Sequence, residues 1–178
     1  AENMVSDTAT RPSDIIKIYG GKTVEVLNPD AEGRLILADA LVYAKKYNPK
    51  YLVDIATLTG ACIVALGLHT AAGLMGNDQR LIDLVVKAGK ESGERAWPLP
   101  LWDDYKELII SPMADMKNTG GRWGGAITGA AFLSNFVDKH PWAHLDIAGP
   151  AYEEKGKPMV PPGGTGFGVR MLLEYLLK

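Results

Sequence analysis

Two short apolar runs, each with an acid near its centre, set the architecture: residues 51–57 (YLVDIAT) and residues 143–148 (AHLDIA). The first is a nearly continuous apolar run of strand length, the pattern of a strand covered on both faces. Around these runs the period changes. Residues 34–46 place Leu37, Ala38, Leu41 and Val42 on one helical face, put Lys45 and Lys46 at the negative end of the dipole, and stop at Asn48-Pro49. Residues 79–90 read as an amphipathic helix with Leu81, Leu84, Val85 and Ala88 on its stripe, and residues 126–137 and 168–178 also read as helices. Residues 23–27 (TVEVL), 62–66 and 71–75 read as further strands. Strands alternating with helices predict an α/β protein, a three-layer αβα sandwich with a mixed, largely parallel sheet. In such a fold ligands bind beyond the carboxyl ends of strands. Both acid-centred runs end in small residues there, Thr57-Leu58-Thr59-Gly60 and Gly149-Pro150-Ala151, which could floor a pocket.

A chain of 178 residues predicts one domain, large enough to bury a core. With 47% apolar and 22% charged residues it is globular in composition, and a formal charge of −2 provides no basic field for a phosphate backbone, so nucleic acid is not an expected partner. The one cysteine, Cys62, cannot form an internal disulfide and fits a reducing, cytoplasmic setting. The start of the chain has no secretory pattern, and the longest Gly-and-apolar stretch, residues 60–76, is too short for a membrane span. Twenty glycines, many in clusters at 60–76, 120–129 and 163–168, imply backbone packed close to something.

The chemistry concentrates in Asn28-Pro29-Asp30-Ala31-Glu32-Gly33-Arg34-Leu35. If this stretch is extended, Asp30, Glu32 and Arg34 fall on one side, because side chains alternate with period two. Two such carboxylates can bridge divalent cations ~3.5–4 Å apart, and an adjacent guanidinium can hold an anion. Oxygen ligands suit Mg²⁺ and Mn²⁺, and Zn²⁺ accepts them too. The plain alternative is that Asp30 caps the following helix, Glu32 complements its dipole and Arg34 is a surface charge.

The octet closely resembles the N-T-D-A-E-G-R-L signature of the cytosol (leucyl) aminopeptidases, a family of two-metal exopeptidases. The likeness continues through residues 35–41 (LILADAL), 54–61 (DIATLTGA), 72–77 (AGLMGN) and 144–149 (HLDIAG), and upstream through Glu2-Asn3-Met4 and Arg11-Pro12-Ser13-Asp14. The resemblance implies that Glu32 bridges two divalent ions (Mn²⁺ or Zn²⁺), that Asp30 holds one of them, and that Arg34 holds a catalytic bicarbonate-type anion. It places Asn28, Thr57, Leu58 and Gly60 along the substrate cleft, the main chain of Leu58 and Gly60 aligning the peptide, and Ala148 and Ala151 beside the first side-chain pocket. The implied partners are a peptide with a free N-terminus and further copies of the chain, hexameric in the family.

Two departures stand out. Pro29 replaces the family's usual threonine, fixing φ and removing a donor. The family's other ligands, a lysine and two aspartates, precede the part aligned here. The expectation is therefore residues 1–178 as the C-terminal part of one metallo-aminopeptidase catalytic domain, unable to bind both ions alone and with little or no activity by itself. The alternative is a non-catalytic α/β binding or assembly module derived from that family.

Other candidates are read as structural. His140 and His144 are four apart, but Pro141 breaks the helix that a zinc pair needs. Residues 164–168 (GTGFG) read as a turn and helix start, and Cys62 as an inert thiol in apolar surroundings. Asp54 and Asp146, acids within apolar strands, need hydrogen-bond partners. Asp115, Lys117 and Arg122 read as solvated charge, and Trp97, Trp102, Trp123 and Trp142 as core or interface.

Overall fold

The computed structural model describes residues 4–158 and 160–177. The predicted approach at Glu2-Asn3 and the last residue of the predicted closing helix, Lys178, lie outside the described residues. In chain order the elements are β1 (Asp14–Lys17), β2 (Thr23–Val26), α1 (Gly33–Ala44) followed by a 3₁₀ turn (Lys45–Tyr47), β3 (Leu52–Ala56), α2 (Gly60–Leu66), β4 (Ala72–Gly76) and α3 (Gln79–Ser92). They continue with β5 (Ala96–Pro98), α4 (Asp103–Glu107), β6 (Met116–Lys117), α5 (Gly125–Ser134), β7 (Trp142–Asp146), β8 (Tyr152–Glu153), β9 (Gly163–Gly164) and α6 (Val169–Leu176). The chain divides into two compact units, Ala1–Leu52 with Leu101–His140, and Val53–Pro100 with Pro141–Lys178. The fold is mixed α/β, as expected.

In the first unit β1 and β2 form an antiparallel hairpin, and β6 joins β2 in parallel. Val24 and Val26, alternating along β2, are fully buried. Helices α1 and α4 pack on α5, which is apolar almost all round and buries Ala130, Ala131, Phe132 and Leu133. The α1 stripe of Leu35, Ala38 and Leu41 is buried, as the helical period requires. The 3₁₀ turn ends at Asn48 in the left-handed region (φ 46°), the conformation that asparagine tolerates best among residues with a side chain.

In the second unit the sheet runs β3-β7-β4-β5, with β4 antiparallel to β7 and parallel to β5. Strand β7 is buried along its whole length, whereas β3 is only half-buried after Leu52, short of the two-sided cover its sequence predicts. Gly76 lies so near β7 that a Cβ on it would stand 2.4 Å from the Trp142 carbonyl oxygen. Asp78 caps α3 by accepting from the Leu81 amide at 2.7 Å, and α3 packs on α6 and β5. The start of α6 is capped from a distance: the buried Glu94 carboxylate accepts from the Gly168 and Met171 amides at 3.0 and 2.8 Å and from Arg170 at 3.1 Å.

Residues 62–66, expected as a strand, belong to helix α2. Thr59 sits extended ahead of it and its hydroxyl accepts from the Cys62 amide, so the cap redirects an apolar run too short for its period to be read. Of the four tryptophans only Trp142 is in the core; Trp97, Trp102 and Trp123 are exposed by 64%, 63% and 76%. Among the described residues no helix is long and apolar enough to cross a membrane.

Candidate metal and substrate sites

In the first unit the stretch after β2 is a turn, not the extended segment that would align Asp30, Glu32 and Arg34. The Ala31 amide donates to the Asn28 carbonyl at 3.1 Å, with Pro29 at the second turn position, where its fixed φ fits. The Asn28 side chain closes the turn by accepting from the Asp30 amide at 3.1 Å. Period-two alternation therefore does not apply, and the carboxylates are presented by a turn running into α1.

Asn118, fully buried, holds this turn in place. Its Oδ1 accepts from the Leu27 and Asn28 amides at 3.0 and 3.2 Å, and its Nδ2 donates to the Asn28 carbonyl at 2.7 Å. The Asn118 carbonyl also accepts from Nη1 of Arg34 at 2.9 Å. Arg34 is 7% exposed, so the surface-charge alternative fails for it. Helix α1 has no side-chain cap, so Asp30 does not cap it; Glu32 occupies the N-cap position, where a carboxylate suits the positive helix end. Asp30 is exposed and Glu32 half-buried, both accessible beside a fixed guanidinium.

These two carboxylates have the right chemistry for a hard or borderline divalent ion. Among the described residues no group of three or more His, Cys, Asp or Glu is placed to hold a metal.

In the second unit the loop after β3 carries Thr57 exposed, Leu58 half-buried, Thr59 buried and Gly60 exposed, with open space where a Gly60 Cβ would point. The wholly buried Asp146, the last residue of β7, organises it. Its Oδ1 accepts from the amides of Leu58, Thr59 and Ala148 at 3.1, 3.4 and 3.2 Å, and its Oδ2 from the Thr59 hydroxyl at 2.6 Å. Beyond β7, Ala148 and Ala151 are half-buried; the Ala151 amide donates to the Ile147 carbonyl at 3.0 Å and its carbonyl accepts from Thr165 at 2.9 Å.

Asp54 accepts from Trp142 Nε1 at 2.6 Å and pairs with Nδ1 of the buried His144 at 2.5 Å. Both strand acids thus have the partners their burial demands. Burial pushes the Cys62 thiol up to about 11, with Asp146 adding to the effect, so it stays protonated and inert at neutral pH. Asp115 accepts from the amide and hydroxyl of Thr23, which hold its carboxyl below the ordinary range. A separate cavity of about 200 Å³, with His69, Arg95, Lys157 and Arg170 in its wall, includes none of the expected substrate residues.

Residues 1–173 match the catalytic domain of the cytosol aminopeptidase family. The chain belongs to that family. A probable cytosol aminopeptidase of Geobacter sulfurreducens is 55% identical over 176 residues, which is 99% of this chain and 35% of the relative. One from Chlorobaculum tepidum is 59% identical over 177 residues, 98% of this chain and 35% of the relative. The solved structure of a tomato leucine aminopeptidase mutant matches with a TM-score of 0.93 at 47% identity, covering 99% of this chain and 34% of that one. The chain spans about a third of the length of the curated relatives it matches.

Within the first unit the structure groups Asn28, Asp30, Glu32 and Arg34 in one turn and helix start; within the second it groups Thr57, Leu58, Gly60 and Ala148 around Asp146. Sequence reasoning missed Asn118 and Thr59. No local pattern marks Asn118 as buried, but Thr59 sits where a helix N-cap belongs once residues 60–66 are read as helical.

Proposed function

We propose that this chain forms part of the catalytic domain of a metal-dependent, leucyl-type aminopeptidase that releases leucine-like residues from the free N-terminus of peptides. The observation that carries the reading is Arg34, a buried guanidinium fixed by the Asn118 carbonyl two residues after the accessible Glu32 and four after Asp30. A guanidinium fixed in place next to two accessible carboxylates in the sequence suits a group that holds an anion near a metal site.

In this reading Asp30 and Glu32 would hold divalent ions, Mn²⁺ or Zn²⁺, which would supply Lewis acidity for peptide hydrolysis. Arg34 holds a bicarbonate-type anion able to take a proton. Asn28, Thr57, Leu58 and Gly60 bind substrate, the main chain of Leu58 and Gly60 orienting the peptide, and Ala148 and Ala151 flank the first side-chain pocket. The lysine and two aspartates that complete the family's ligand set have no counterpart among the residues matched here. The 178 residues alone are therefore expected to be nearly inactive, and the enzyme to act in the cytoplasm as a homo-oligomer, hexameric by family resemblance.

The test is Mn²⁺-dependent release of leucine from a leucyl anilide. The complete gene product should cleave it and the 178-residue chain should not. Cleavage by the chain alone overturns its incompleteness. A complete product that neither binds Mn²⁺ nor cleaves the anilide would instead be a binding or assembly module.

A further inference from the structure

The geometry points to Asp146 as a positioning residue for peptide binding, acting through the backbone of the loops that follow β3 and β7. The inference rests on the substrate-binding role proposed above for Leu58 and Ala148.

Asp146 joins two loops. Asp146 is completely buried, and four hydrogen bonds converge on its carboxylate. None comes from a neighbouring strand. Two come from successive amides of the β3 loop, one from the Thr59 hydroxyl and one from the first residue of the opposite loop beyond Ile147. A single carboxylate therefore sets the orientation of consecutive peptide planes in one loop and locks them to the other. An amide that donates to Asp146 turns its own peptide plane, and with it the carbonyl on that plane's far side, so Asp146 decides where the loop carbonyls point. Those planes lie beyond the end of a sheet strand, where α/β folds take ligands, and the loop's outer flank is open, with Thr57 and Gly60 exposed.

Chemistry at the carboxylate oxygens also separates two kinds of variant. In Asp146→Asn, Oδ1 can keep all three amides, and Nδ2 can donate to the Thr59 hydroxyl, which accepts as readily as it donates. In Asp146→Ala all four carboxylate bonds are lost, and only backbone contacts such as the Ile147 amide to the Ala56 carbonyl at 2.8 Å still join the two loops. Loss of orientation lowers affinity for the peptide, whereas loss of folded molecules lowers only the amount of active enzyme and leaves KM untouched.

The test is steady-state kinetics of the complete gene product on leucyl p-nitroanilide with Mn²⁺. Asp146→Ala should raise KM about tenfold or more while the Mn²⁺ concentration for half-activation stays within about twofold, and Asp146→Asn should restore KM to within about threefold of the parent. Should Asp146→Ala not fold, Thr59→Val decides alongside Thr59→Ser: Val removes the hydroxyl's bond to Oδ2 together with its cap on the Cys62 amide and should raise KM about threefold, and Ser, which keeps both, should restore it. An unchanged KM in the deciding variant, or an Asn variant as impaired in KM as the Ala variant, overturns the inference and leaves the proposed function standing. A parent enzyme without Mn²⁺-dependent cleavage overturns both.

Discussion

Asn118 shows how much one uncharged side chain can hold. It satisfies the Leu27 and Asn28 amides and the Asn28 carbonyl with its carboxamide, and its own carbonyl receives Arg34. Replacing it with alanine leaves two amides and a carbonyl without those partners near the turn that carries Asp30. We expect Asn118→Ala to lower unfolding free energy by about 2 kcal/mol, measured by urea denaturation, because each of three part-buried groups left without its partner costs about 1 kcal/mol or somewhat less. A loss below about 1 kcal/mol would mean that water replaces the carboxamide. Arg34 reads as anion-binding or solvated in the sequence, and its burial removes the solvated reading; nothing within four residues of it indicates a partner at position 118.

At the scale of elements, the helices α1, α3, α5 and α6 and the strands β2, β3, β4 and β7 fall where periodicity puts them. One reading fails, and one condition is not met, where two local rules compete. Residues 62–66 are apolar enough for a strand, but the Thr59 cap starts a helix; residues 28–31 could extend, but Asn-Pro turn chemistry wins. Close approach of β4 and β7 yields a sharp test. A methyl at position 76 would meet the Trp142 carbonyl oxygen at 2.4 Å, backbone that cannot rotate away. Gly76→Ala should therefore destabilise the fold by at least about 2 kcal/mol in a thermal or denaturant melt, the overpacking cost expected when neither side can yield. A neutral effect would show that β4 can shift relative to β7.

For the whole molecule, acid is the informative perturbation. Lys45 holds the Asp138 carboxyl low by a hydrogen bond, and Thr23 holds Asp115 low. Burial pushes Glu153 up, but the Lys155 amide with His69 and Lys157 outweighs it, and the net direction is down. A carboxyl whose folded pKa is depressed stabilises the native state above its unfolded pKa and loses that contribution as pH falls through the folded value. Their ordinary values are 3.8 for the aspartates and 4.5 for Glu153, so the melting temperature should hold steady down to about pH 5 and fall below that. A melting temperature that rises between pH 5 and 3 would contradict these assignments. Patterns within a dozen residues are enough to specify the order of elements, the family signature and the carboxylates beside Arg34, because hydrophobic period, turn chemistry and side-chain type are local properties. Which polar groups become buried hubs is another matter. Asn118, Asp146 and Glu94 find their partners 90, 88 and 74 residues away, at Asn28, Leu58 and Gly168. A hydrogen bond needs two groups within about 3 Å, and over such separations only the packing of distant elements brings them together.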